Sequence, residues 1–337
     1  MVSDATPERC VRDLGEQGVL QRLFPFCPPG VVGDDAAILP TLGAQSLVVT
    51  TDVLVAGVHF SDRTTPPEAV GWRAVAANLS DLAAMGATPL GITIALAMPG
   101  EVPIAWIDDL YRGMTACLKA YDSVILGGDL SQSPVRSIAI TALGQVAPDR
   151  VLRRSAAQAG DAIVVTGLHG MSRLGLAMLL DPALGESVRV ATRDRWLRAH
   201  QYPVPRLDVI APLWQAIAAT RCRPDIAAMD SSDGLADAIV QIGRASGVGA
   251  RVERQRLRVP PEATAIVSPE QAIEWVLYGG EDFELVLCLP LATAENLVQR
   301  LGGDAAIVGE MTAEPGVFLV DGSERIPLTL AQGFQHF

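Results

Sequence analysis

The run "LAAMGATPLGITIALAMPG", Leu82 to Gly100, carries no charge over about the length of a membrane span. Read as one helix, it would make this a membrane protein. Gly86, Pro89 and Gly91 interrupt it, so it reads instead as the end of a helix, a turn and a buried strand. The helix that ends there begins near Thr65, Pro66 and Pro67, where a capping threonine precedes prolines suited to a first turn. On it, Asn78 and Asp81 share a face. Apolar runs of β-forming residues lie near 36–39, 46–53, 91–98, 123–127 and 137–146, which gives the order β-β-α-β-α-β-β. A fresh buried strand, "DAIVVTG" (Asp161 to Gly167), opens a second unit. Helical patterns follow to about Ala219, with an Arg-rich stretch over 181–201 that reads as helical and exposed. Beyond them come the strand "DIAAM", a helix from Asp233 to about Ser246 with Leu235, Ile239 and Ile242 on one stripe, the strands "GARV" and "DFELVLCL", and a last helix and strand pair to Val320. The fold class is α/β with two domains, 1–150 and 151–337, each a sheet covered by helices.

Composition narrows the function. With 337 residues, 49% of them hydrophobic, the chain can bury substantial cores. A formal net charge of -12 disfavours binding to nucleic acid or to an anionic membrane, which would need a basic face. Lys119 is the single lysine, so a Walker loop ending in G-K-[ST] is absent. Any phosphate must therefore be held locally or through metal ions. Cys10, Cys27, Cys117, Cys222 and Cys288 are odd in number and widely spaced, which suggests neither a disulfide framework nor a zinc site. The start, "MVSDATPERC", is polar and acidic where a signal peptide is basic and then apolar, and the reading is cytoplasmic.

Carboxylates recur beside Gly, Ser or Thr in "GDDAA" (Gly33 to Ala37), "TTD" (Thr50 to Asp52), "NLSDLAAMGA" (Asn78 to Ala87), "GGD" (Gly127 to Asp129), "DSSDG" (Asp230 to Gly234) and "GGED" (Gly279 to Asp282). Each alone has an ordinary explanation as a turn or, for "DSSDG", as a helix cap. Jointly they say more, because Asp52 and Asp129 follow apolar runs that read as central strands whose ends meet at one edge of a sheet. If Asp35, Asp52, Asp81, Asp129, Asp230 and Asp233 converge, they repel by roughly 4 kcal/mol per pair at 4 Å and an effective dielectric of 20. Either their pKa values rise or cations sit among them. All-oxygen donors select hard ions, Mg²⁺ before Zn²⁺, and several Mg²⁺ ions imply a polyphosphate substrate.

The segments "GDDAA", "TTDVLVAGVHF", "AVAANLSDLAAMGATPL", "GGD", "RRSAAQAGDAIVVTG", "SSDGLADAI" and "YGGEDFELV" resemble, in order and over nearly the whole chain, the motifs of thiamine-monophosphate kinases. That family shares a superfamily with aminoimidazole ribonucleotide synthetase and selenophosphate synthetase. The resemblance implies two mixed-sheet domains of that superfamily's type, a homodimer formed through the first, ATP-binding domain, and phosphorylation of thiamine monophosphate by ATP. It implies several Mg²⁺ ions held by Asp35, Thr50, Thr51, Asp52, Asp81, Asp129, Asp230 and Asp233, of which Asp52, Asp81, Asp129 and Asp230 form the catalytic set. Gly128, Asp129, Arg154 and Ser232 would contact ATP; His59, Glu281 and Phe334 would contact thiamine monophosphate. The sequence leaves open whether Arg153 or Arg154 faces the nucleotide. It departs from the family pattern at Ser231, where an apolar residue is expected, and at Phe334, where a tyrosine or tryptophan would be unsurprising.

Two other readings stand beside this one. A synthetase of the same superfamily would activate an amide oxygen in place of a phosphate; the selenophosphate type also wants a reactive cysteine near the amino terminus, and Cys10 and Cys27 lack the Gly-rich setting. A non-enzymatic cation-binding module would use the aspartates for stability, but the regular EF-hand spacing is missing.

Overall fold

A computed structural model describes residues 17, 18, 21, 33–40, 43–223 and 225–334. Cys10, Cys27 and the amino-terminal segment lie outside the described residues. The first sheet contains β1 (Ala37–Pro40), β2 (Ser46–Val55), β3 (Thr88–Met98), β4 (Ile125–Gln132) and β5 (Ser137–Val146), in the order β1-β2-β5-β3-β4. Only β3 and β4 pair in parallel, so the sheet is mixed. Helix α1 (Pro67–Ala84) packs on one face and α2 (Ile104–Ala120) packs on α1. The uncharged run of 82–100 is the last turn of α1, a turn and β3, and no helix among the described residues is long and apolar enough to cross a membrane.

The second unit carries β6 (Ala162–Val165), α3 (Met171–Leu180), α4 (Val190–Gln201), α5 (Ile210–Thr220), β7 (Ala227–Asp230), α6 (Leu235–Ser246), β8 (Gly249–Glu253), α7 (Pro269–Tyr278), β9 (Leu285–Leu289), α8 (Leu291–Leu301), β10 (Ala306–Thr312), β11 (Val317–Asp321) and β12 (Glu324–Pro327). Its seven strands run β12-β11-β8-β10-β6-β9-β7, with β8 and β11 the parallel pair. Both faces are covered, and the strand alternation shows it: Ile163, Val165, Val286 and Cys288 join the core under α6, while Val164, Leu285, Leu287 and Leu289 join the core under α5 and α8. The predicted stripe of Leu235, Ile239 and Ile242 is buried in the first of these. Ala83 and Ala84 of α1 lie in the second, so the end of α1 is packed into the second unit.

Three local expectations are corrected, and one strand was not expected at all. The N-cap of α1 is Pro66 and makes no side-chain cap bond; Thr65 is buried beside Thr64 instead. Strand β4 is at the edge of its sheet and exposed along its length, although its apolar start resembles a central strand. The stretch 181–201 is only partly exposed, since Trp196 and His200 of α4 are buried. Strand β12, short and polar, has no apolar run to announce it.

Candidate active site

The carboxylates of Asp35, Asp81 and Asp230 place oxygens within 4.8 Å of one another. Each comes from a different part of the chain. Asp35 immediately precedes the short run into β1, Asp81 lies in the last turn of α1, and Asp230 ends β7. Helix α1 does the joining. Ser80 donates to Asp230 Oδ2 at 2.7 Å, while the next residue, Asp81, accepts from Thr50 Oγ1 of β2. Thr50 Oγ1 also lies 3.2 Å from the Asp35 carbonyl oxygen.

Electrostatics mark the cluster as short of positive charge. Burial and then Asp35 push Asp52 up to about 6, and push Asp230 up to about 8. Asp81 rises well above the carboxylate range through burial and the nearness of Asp52, Asp230 and Asp35. Arg154 supplies one resident cation, with Nε 3.0 Å from Asp35 Oδ2 and Nη2 2.9 Å from Oδ1. Its remaining nitrogen donates to Gln241 on α6, whose amide donates to Asp237 at 2.7 Å. Arg153 turns to Asp34 at 3.4 Å, so Arg154 is the arginine that faces the carboxylates.

Adjacent strand residues point to opposite faces, and this divides the predicted set. Thr50 and Asp52 lie on the α1 side of the sheet, with Val48 and Leu54. Thr51 lies on the other side, donating to Ile140 O at 2.9 Å. The register Val53↔Ala139↔Ala95↔Asp129 sets Asp129 on that same open side, three strands from β2. A span of three strands is about 14 Å. Within one chain, Asp129 therefore does not join Asp35, Asp81 and Asp230. Gly128 beside it is fixed by packing, because a Cβ there would meet Ile94 O at 2.1 Å.

The "DSSDG" loop is no side-chain cap of the kind expected. Helix α6 begins at Leu235, not Asp233, and its N-cap is Gly234, whose φ of +115° a side chain would strain. Ser232 donates to Asp230 Oδ1 at 3.0 Å. Ser231 is polar where an apolar residue was expected, and it has polar company: its hydroxyl lies 3.0 Å from His169 Nε2 and 2.9 Å from Glu284 O.

Of the three predicted acceptor contacts, Glu281 is bonded directly to this loop. His59 follows β2 and its Nδ1 accepts from Val55 N at 3.0 Å, leaving the proton on Nε2. Glu281 N donates to Ser232 O at 2.6 Å, so the "GGED" and "DSSDG" loops are held together. Phe334 is 49% exposed, next to Gly333, where a Cβ would sit 3.6 Å from Asp233 O. Two acids that follow Glu281 are used structurally: Asp282 accepts from the N–H groups of Gly170 and Ser172 at the start of α3, and Glu284 pairs with Arg206. Sequence reading missed Arg73 of α1, a buried arginine that meets Glu281.

These donors fit magnesium. They are oxygens only, they converge from separate segments, and the single arginine among them leaves carboxylates unneutralised. Comparison with known proteins shows the family. The family model for AIR synthase related protein, N-terminal domain, matches residues 33–146, and that for the C-terminal domain matches 158–322. The chain is 52% identical to a thiamine-monophosphate kinase of Synechococcus elongatus over 332 residues, 98% of each chain. It is 37% identical to that of Escherichia coli K12 over 314 residues, 91% of each. Its structure is similar to that of AaThiL complexed with AMPPCP and TMP, with a TM-score of 0.83 and 28% identity over 98% of this chain and 100% of that one.

Proposed function

The chain belongs to the thiamine-monophosphate kinase family, and on that premise we propose that it transfers the γ-phosphoryl group of ATP to thiamine monophosphate, giving thiamine diphosphate and ADP. The observation that carries this reading from family to chemistry is the convergence of Asp35, Asp81 and Asp230. Phosphoryl transfer asks a protein for positioning and charge neutralisation more than for covalent work. Asp35, Thr50, Thr51, Asp52, Asp81, Asp129, Asp230 and Asp233 are the residues that would hold magnesium. Held there, such ions would supply neutralisation of phosphate charge. Gly128, Asp129, Arg154 and Ser232 address ATP. Arg154 is already oriented by Gln241 and Asp35. His59, Glu281 and Phe334 bind the acceptor. Because the acceptor is itself a phosphate that ionises near neutrality, no strong base is required and transfer is direct.

We assign dimerisation and most of the magnesium ligands to residues 1–150, with Arg154, Asp230, Ser232 and Asp233 contributed by residues 151–337. The open face of the first sheet supports a homodimer: no described element covers it, and Val53 and Leu90 stand 49% and 42% exposed. Thr51 and Asp129 lie on that same face, so a second copy seated there is what brings them to a site. A cytoplasmic location suits both the use of ATP and the free thiols of Cys117, Cys222 and Cys288.

Incubation with ATP, Mg²⁺ and thiamine monophosphate, with products separated by chromatography, is expected to give thiamine diphosphate and ADP in equal amounts. Absence of thiamine diphosphate at millimolar Mg²⁺ overturns the reading, and a protein phosphorylated by ATP alone contradicts direct transfer.

A further inference from the structure

Arg73 is 2% exposed, yet its guanidinium reaches out of the first unit. Nη1 donates to the carbonyl oxygen of His200, at the end of α4. Nη2 donates to Glu281 Oε1 and lies 3.4 Å from the carbonyl oxygen of His59. One planar fork thus meets the loop after β2, the end of α4 and the loop before β9. Glu281 is held in a left-handed backbone conformation, φ +57°, that a non-glycine residue adopts only when its surroundings enforce it. Its N–H is tied to Ser232 of the nucleotide loop, and Arg73 ties its side chain.

His200 cannot stand in for Arg73. Burial, then Arg73 and Arg173, hold its pKa down to about 2, so it is neutral and shares its Nδ1 with Ser172 Oγ at 3.0 Å. Lysine cannot either, because a point charge on a flexible stem does not reproduce three directed donors. The contacts of Arg73 are with His200, Glu281 and the His59 carbonyl, so it acts on the site through them.

We propose that Arg73 is a positioning residue of the acceptor pocket, fixing the Glu281 carboxylate and the His59 loop relative to Ser232 and so setting affinity for thiamine monophosphate without setting affinity for ATP. This rests on the assignment of His59 and Glu281 to the acceptor. The two are separable: a wild-type enzyme that fails to convert thiamine monophosphate removes the functional reading itself, whereas an active wild type whose variants behave otherwise than stated below removes only the role of Arg73.

The experiment compares wild type, Arg73→Lys, Glu281→Gln and the double variant by steady-state kinetics, AMPPCP binding and thermal unfolding. Arg73→Lys is expected to raise KM for thiamine monophosphate about tenfold, equivalent to about 1.4 kcal/mol, while kcat, KM for ATP and AMPPCP binding stay as in wild type. In the Glu281→Gln background the lysine change is expected to add little, because the two residues act as one unit. Parallel loss of kcat, nucleotide binding and melting temperature would show a merely structural arginine. Additive effects in the double variant, or an unchanged KM for thiamine monophosphate, would equally overturn the proposal.

Discussion

Asp230 shows what a single residue in this site experiences. It is 1% exposed and accepts from Ser80 and Ser232, yet burial and Asp35 still raise its pKa to about 8. The consequence for stability has a definite sign. Above pH 6.5 the folded, metal-free protein keeps protons on Asp230 and on Asp282, which burial raises to about 7, while the unfolded chain has already released them. Stability therefore falls as pH rises from about 6.5 to 8. Below that window the neutral His169 and His200, both depressed by burial, contribute in the opposite direction. Melting temperatures in chelator at the two ends of the window check this. Millimolar Mg²⁺ is expected to remove the Asp230 share of the slope and leave that of Asp282, and a slope of the opposite sign without metal would contradict the electrostatic picture. At this scale the sequence showed the aspartates well, because carboxylates beside Gly, Ser and Thr are a local pattern. It hid Arg73, Ser80, His200 and Glu284, whose partners lie far away in the chain and leave no local trace.

At the scale of elements, the apolar runs located the strands of the first sheet but missed β12 in the second, and punctuation by Gly and Pro separated α1 from β3 correctly. Position within a sheet was not legible. The apolar start of β4 resembles a buried strand, but Leu126 and Leu130 are 55% and 65% exposed at the sheet edge. An exposed apolar edge needs something to cover it, and a sequence of one chain carries no mark of a second copy. The same blindness applied to strand faces, since "TTD" reads as one cluster although alternation sends Thr50 and Thr51 to opposite sides. The packing of β4 on β3 makes a direct prediction. Gly128→Ala puts a methyl group 2.1 Å from Ile94 O, so β4 must move away from β3. The expected result is a lowered melting temperature with weakened AMPPCP binding; unaltered binding would mean that Gly128 does not address the nucleotide.

For the whole molecule, the two sheets are joined by α1, whose end is buried in the second unit while its last turn carries Ser80 and Asp81 into the site. The open face of the first sheet completes the account. Leu90→Glu, on that face but apart from the carboxylates, is expected to give a monomer by sedimentation and to lose turnover, since Thr51 and Asp129 then lack a partner. A monomer that turns over at the wild-type rate would place the whole site in one chain. The central claim is that converging carboxylates carry the chemistry by holding cations, and turnover of Asp81→Asn tests it most directly. The substitution preserves shape, and burial with the nearness of Asp52, Asp230 and Asp35 already favours the neutral form of Asp81 when no metal is bound, so the fold is expected to survive with an undiminished melting temperature in chelator. Turnover of thiamine monophosphate is expected to fall at least about a hundredfold, the scale of losing a main electrostatic contact to the transition state. A folded Asp81→Asn enzyme working near the wild-type rate would contradict the account.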